Sequence, residues 1–209
     1  MDTLICINNQ FTSLDVSKNI NLKSLTCFEN QLTNLDISKN TELTLLSCGN
    51  NQLTSIDTNT NTKLKFLSCE FNQLTNLDTS QNLNLTNLNC NNNQLLNLNI
   101  SKNINLTDLR CNNNLLTNLD ISNNINLTLL LCYENQLSSL TTSSNGQLNI
   151  LYCHNNLITS LDVSMNNHLE IFRCTNNQLT YLDIRNETSW SWWNDISNWA
   201  NNPKLDCIY

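Results

Sequence analysis

From Leu22 the chain repeats one rhythm of apolar and polar positions: Leu22-Lys23-Ser24-Leu25-Thr26-Cys27 is answered 21 residues later by Leu43-Thr44-Leu45-Leu46-Ser47-Cys48. In Leu25-Thr26-Cys27 the period-2 alternation sends Leu and Cys to one face and Thr to the other, which predicts a short strand. Leu32, Leu35 and Ile37 return apolar groups on the opposite side of the same unit. One such unit cannot bury this set alone. Identical units stacked with their strands about 4.8 Å apart in a parallel sheet cover one another's apolar edges, and nine of them span roughly 40 Å.

The repeat does not slip. Cys6, Cys27, Cys48, Cys69, Cys90, Cys111, Cys132, Cys153 and Cys174 stand 21 residues apart, and an asparagine follows each by three residues, from Asn9 and Asn30 to Asn177. The unit reads LxxLxCxxNxLTxLDxSxNxx, and its Asp position is filled otherwise at Asn99 and Thr141. Over residues 1–189 this resembles the bacterial 21-residue class of leucine-rich repeat with a cysteine ladder, found in internalin J-like and Bacteroidetes surface proteins. The resemblance implies a curved repeat solenoid, with a parallel β-sheet on the concave face and short strands or extended segments on the convex side. It also implies a binding role at an extracellular or cell-surface location. It names no partner.

Composition explains how such a coil turns. The chain has 45 Asn and 39 Leu among 209 residues but only 2 Gly and 1 Pro, so its tight corners fall to Asn, the side-bearing residue that best tolerates left-handed backbone. The ladder asparagines are expected to bond backbone groups that the corners leave unpaired. Stacked strands set neighbouring Cβ atoms slightly too far apart for an unstrained disulfide, and a straight column of thiols offers zinc no converging ligands. The cysteines are therefore expected to be free, buried packing groups, with no metal and no cofactor.

Ten basic against 17 acidic residues give a net charge of −7, which argues against nucleic acid as a partner. No apolar run approaches the roughly 20 residues of a membrane span, and Met1 to Gln10 lacks the parts of a signal peptide. Beyond Ile184 the rhythm breaks, and residues 190–209 are expected to form a capping segment containing Trp190, Trp192, Trp193 and Trp199. Within it Leu205-Asp206-Cys207 repeats the Leu-x-Cys spacing, so Cys207 is expected as a tenth rung after a 12-residue insertion. Met1 already occupies a core slot, so the chain is expected to be a monomeric fragment of a longer protein, with association through an uncovered first edge as the alternative.

Function is expected where the columns vary. The outward positions around each strand bring Arg110, Leu129, Leu131, Tyr133, Ile150, Tyr152, His154, Ile171 and Arg173 into one patch rimmed by Glu134 and Glu170. Aromatic and aliphatic groups edged by charge suit a protein or glycan ligand. A smaller cluster joins Phe28, Leu45, Phe66, Glu70 and Phe71. On the other side, a threonine column from Thr12 to Thr180 is too narrow to favour ice binding, and an aspartate column from Asp15 to Asp183 suits bonds to the following turn better than calcium. His154 and His168 occupy different places in their units and lack a recurring acid or nucleophile partner, so no enzyme is expected. The two functional readings are a non-enzymatic recognition module and a structural spacer or self-associating solenoid; the patch favours the first.

Overall fold

The computed structural model describes residues 2–186 and 199–208. Nine three-residue strands make one parallel sheet: β1 (Thr3–Ile5), β2 (Ser24–Thr26), β3 (Leu45–Ser47), β4 (Phe66–Ser68), β5 (Asn87–Asn89), β6 (Asp108–Arg110), β7 (Leu129–Leu131), β8 (Ile150–Tyr152) and β10 (Ile171–Arg173). Every residue pairs with the one 21 further on, as in Leu25 with Leu46. A second, three-stranded parallel sheet forms on the other side of the last turns from β9 (Ser160–Asp162), β11 (Tyr181–Asp183) and β12 (Cys207–Ile208). Elsewhere that side is extended chain and turns.

Between the two sides lies one continuous core. The Leu22, Leu25, Cys27, Leu32, Leu35 and Ile37 columns are buried in almost every turn. The exceptions lie in the first turn, at Leu4, Cys6, Phe11 and Leu14; Thr58, Thr79 and Thr142 are polar members of the Ile37 column and are nonetheless fully buried. The thiols from Cys27 to Cys174 are free and buried. Loss of hydration pushes Cys27, Cys132 and Cys174 up to about 12, and the thiols between them also lie well above the ordinary thiol range. They remain protonated packing groups at neutral pH.

Two asparagine columns carry the corners. In the first, Asn93 donates to the carbonyls of Cys90 and Cys69, each at 3.1 Å, and accepts from Leu74 N at 3.0 Å. One side chain thus closes its own corner and clamps the turn before it, and the pattern recurs from Asn30 to Asn177. The residue before each of these asparagines is left-handed: Asn8, Asn50, Asn92, Asn113, Asn155 and Asn176 as expected, but also Glu29, Phe71 and Glu134. A phenylalanine at φ 50° is the least comfortable of them.

The second column is the later asparagine of the repeat unit, to which the sequence pattern assigned no role. Asn40, Asn61, Asn82, Asn103, Asn124, Asn145 and Asn166 are fully buried on the opposite side, each donating to two carbonyls of the preceding turn, as Asn61 does to Ile37 O at 3.1 Å and Asn40 O at 2.8 Å. Their Oδ1 atoms divide by what stands 24 residues earlier. Thr58, Thr79 and Thr142 donate hydroxyls to Asn82, Asn103 and Asn166 at 2.7–2.8 Å. Where Val16, Ile37, Ile100 and Ile121 take that place, Oδ1 of Asn40, Asn61, Asn124 and Asn145 has no partner.

The expected tenth rung is corrected at Cys207. Asn202, not a residue beyond Cys207, continues the corner ladder: it donates to Cys174 O at 3.2 Å and Trp199 O at 2.8 Å and accepts from Leu179 N at 3.1 Å. Trp199 therefore stands where the next ladder cysteine would, packed against the end of the core. The bond from Asn202 to Cys174 spans 28 residues where the earlier turns span 24, so this turn is four residues longer than its predecessors, not twelve. With the corner already made, Cys207 falls in the second sheet, paired with Tyr181. Trp190, Trp192 and Trp193 lie outside the described residues.

Candidate binding face

Strand register positions the outward side chains. Leu129, Ile150 and Ile171 are direct neighbours on β7, β8 and β10, and Leu131, Tyr152 and Arg173 form the adjacent column, continued backward to Arg110 on β6. Just past the strands, Tyr133 and His154 stack face to face, with centroids 4.5 Å apart and planes 9° from parallel. Tyr152 meets Tyr133 at 6.4 Å and His154 at 5.9 Å, the latter edge-on. The Arg173 guanidinium lies over Tyr152, 5.5 Å from its centroid, a cation–π arrangement. All nine residues expected in the patch lie on this one side of the coil; Ile171 and Arg173 are exposed and the others half-buried.

Two features alter the electrostatics. Arg110 is not a free cation, because Asp108, two residues back on the same strand face, accepts from its Nε and an Nη at 3.0 Å each. That fork, with Glu70 further off, holds the guanidinium even more firmly protonated than usual. His154 is driven the other way: burial first, then the Arg173 charge, lower its pKa, against a smaller pull from Glu134. At neutral pH the stacked imidazole is therefore uncharged, and its buried Nδ1 has no hydrogen-bond partner. Arg173 carries the patch's unneutralised positive charge.

Sequence reasoning missed Asp108 and Asn112. Asp108 was legible, since residues i and i+2 of a strand share a face. Asn112 sits in the column of Tyr133 and His154, only 3% exposed, with an unpartnered Oδ1. Its burial depends on its neighbours and left no mark in the sequence.

The smaller cluster is more polar than expected. Glu70 folds back onto Gly49, where a Cβ would come within 2.8 Å of its carboxyl carbon, and accepts the Ser68 hydroxyl. Phe28, Leu45 and Phe66 are half-buried, and Phe71 is exposed. On the far side Asp15, Asp36, Asp57, Asp78, Asp120 and Asp162 each accept the amide two residues on at 2.9 Å. Asn99 substitutes in the same role at 3.1 Å. The aspartate column thus serves the following turn. Among the described residues no group of three His, Cys, Asp or Glu is placed to hold a metal ion, and no helix is long and apolar enough to cross a membrane.

Comparison with solved structures reproduces this architecture. The functional domain of InlJ from Listeria monocytogenes, which includes a cysteine ladder, superposes with a TM-score of 0.75 at 32% identity over 100% of this chain and 50% of that one. A leucine-rich-repeat protein of Leptospira interrogans gives 0.79 at 25% identity over 85% of this chain and 49% of that one. The leucine-rich-repeat ectodomain of a membrane receptor kinase from Arabidopsis thaliana, solved in complex with Casparian strip integrity factor 2, gives 0.71 at 25% identity over 80% and 22%. The chain spans about half the length of the first two. No family model matches the sequence, and no curated protein matches it.

Proposed function

The chain is a leucine-rich-repeat solenoid of the 21-residue, cysteine-ladder kind, and from that premise we propose that it is a non-enzymatic recognition module whose face over β7, β8 and β10 binds a protein partner. One observation carries the reading. The Tyr133–His154 stack, Tyr152 and the overlying Arg173 adjoin the aliphatic column of Leu129, Ile150 and Ile171, so a preordered aromatic and cationic anchor sits beside apolar surface. Side chains already held by one another lose little entropy on binding, and Tyr and Arg dominate such contacts energetically. The partner's complementary chemistry is an apolar segment flanked by a carboxylate for Arg173. The resemblance to InlJ supports an extracellular or cell-surface setting as part of this proposal.

Capture from cell-surface and matrix extracts tests it. The native chain should retain a partner that a Tyr152→Ala, Arg173→Ala variant of unchanged melting temperature binds at least thirtyfold more weakly, the scale of two kilocalories at a hot spot. Equal capture by both would remove the face from consideration. Capture by neither would favour a spacer.

A further inference from the structure

Tyr133 and His154 hold the same position in successive turns, one residue past the ladder cysteine, so a strand spacing of about 4.8 Å lays one ring over the other. Their planes lie 9° from parallel, with centroids 4.5 Å apart. Tyr152 closes a second side of the imidazole, edge-on at 5.9 Å. The enclosure seals one ring nitrogen, because His154 Nδ1 is out of reach of water and has no hydrogen-bond partner. A buried N–H without an acceptor is rarer in proteins than a buried lone pair without a donor. The neutral ring therefore carries its proton on Nε2, and Nδ1 is an idle acceptor.

Protonation turns that acceptor into a donor. The new N–H lies in the imidazole plane, so it points past the parallel Tyr133 ring rather than at it, and the cation–π attraction of the tyrosine face leaves it unsatisfied. The charges nearby also oppose the step. Arg173, reaching in from β10 over Tyr152, repels an imidazolium more than Glu134, just past β7, attracts one. The phenols of Tyr133 and Tyr152, the other titratable groups against the ring, bring no charge in acid. Leaving the stack relieves both costs: outside it Nδ1 reaches water and the two cations move apart. Tyr152 then loses an edge contact that fixes it, and Arg173 loses its platform.

We propose that His154 is an acid-operated latch: its protonation opens the Tyr133 stack, frees Tyr152 and Arg173, and so dismantles the preordered anchor. The latch rests on the protein-binding reading for its use, but it operates in the free chain. An imidazole in water takes its proton at about pH 6.5, and the stacked one lower, because burial first and the Arg173 charge second oppose it. The open form therefore gains on the closed one as pH falls below about 6.5, by about tenfold per unit at most, and the gain ends once the stacked ring protonates too. A partner carboxylate on Arg173 would offset the repulsion and still leave the Nδ1–H without an acceptor.

The test is heteronuclear NMR of the full chain with labelled imidazoles between about pH 7.5 and 4, with His168→Gln leaving a single histidine to observe. At neutral pH the ring should show the Nε2–H tautomer and cross-peaks to Tyr133. On acidification those cross-peaks, and the ring-current shift that Tyr152 imposes on the Arg173 side chain, should vanish together in the step that protonates His154. In His154→Phe, which keeps an aromatic ring in the stack but cannot titrate, Arg173 should hold its neutral-pH shift to the acid limit. An Nδ1–H tautomer at neutral pH would overturn the proposal. So would an imidazole still neutral at the acid limit, a stack that persists through protonation, or the same acid-induced change at Arg173 in His154→Phe. No partner enters these readouts, so failure of the protein-binding reading would leave them unchanged.

Discussion

At the residue scale, the buried column shared by Val16, Ile37, Thr58, Thr79, Ile100, Ile121 and Thr142 shows how one hydroxyl changes the value of a position. Threonine in an apolar column ordinarily looks like a fault, since a buried hydroxyl needs a partner. Here Asn103 supplies it to Thr79 at 2.8 Å. Thr79→Val keeps the shape but orphans Asn103 Oδ1, and is expected to cost about 1–3 kcal/mol. Val16→Thr should run the opposite way, offering a hydroxyl to the unpartnered Asn40 Oδ1, and is expected to leave stability unchanged or raise it by up to about 1 kcal/mol. Denaturant melts of both variants check the pair of signs. The sequence displays the Thr and Val alternation, but the bond joins residues 24 apart on neighbouring turns, so no local pattern announces it.

At the scale of the element, the unit is a strand, a left-handed corner and a return, and the corner holds the register. Asn93 bonds both its own turn and the previous one, so Asn93→Ala should cost about 3 kcal/mol or more by releasing two carbonyls and the Leu74 amide. Hydrogen exchange should show the loss of protection centred on Leu74 and fading within a turn or two on either side. Strands, core columns and corner asparagines were legible because repetition makes each position visible nine times. The tenth turn was not. Leu205-Asp206-Cys207 has the right spacing for a rung, yet the bonds of Asn202 had already fixed the corner upstream. Likewise Tyr133, Tyr152 and Arg173 could be gathered from columns alone, and the Asp108 fork that quiets Arg110 follows from strand alternation, while the burial of Asn112 came from tertiary packing.

For the molecule as a whole, eight stacked thiols are a shared liability toward base. Their pKa values in the folded coil are raised, to about 12 at Cys27, Cys132 and Cys174, above an unfolded value near 8.5. The folded state thus binds more protons than the unfolded one across this interval. Their contribution is fully present below about pH 8.5 and falls as pH rises, by about 1.4 kcal/mol per unit for each thiol. Circular dichroism against pH should therefore show a steep loss of structure above about pH 9, shifted upward by Cys90→Ala with Cys111→Ala relative to its neutral-pH stability. A transition with the same steepness in that variant would show that other groups govern it.

The unvarying 21-residue register also gives the molecule a mechanical character. Its two ends lie at opposite ends of the stack, so tension applied between them pulls across the inter-turn bonds and meets nearly the same resistance at each turn. Such a coil peels rather than snaps. Each released turn should lengthen the chain by up to roughly 70 Å, the extended reach of its residues. Optical-trap traces should show a staircase of near-equal steps at near-constant load, so that a tether of this design would dissipate a sudden pull while holding its cargo.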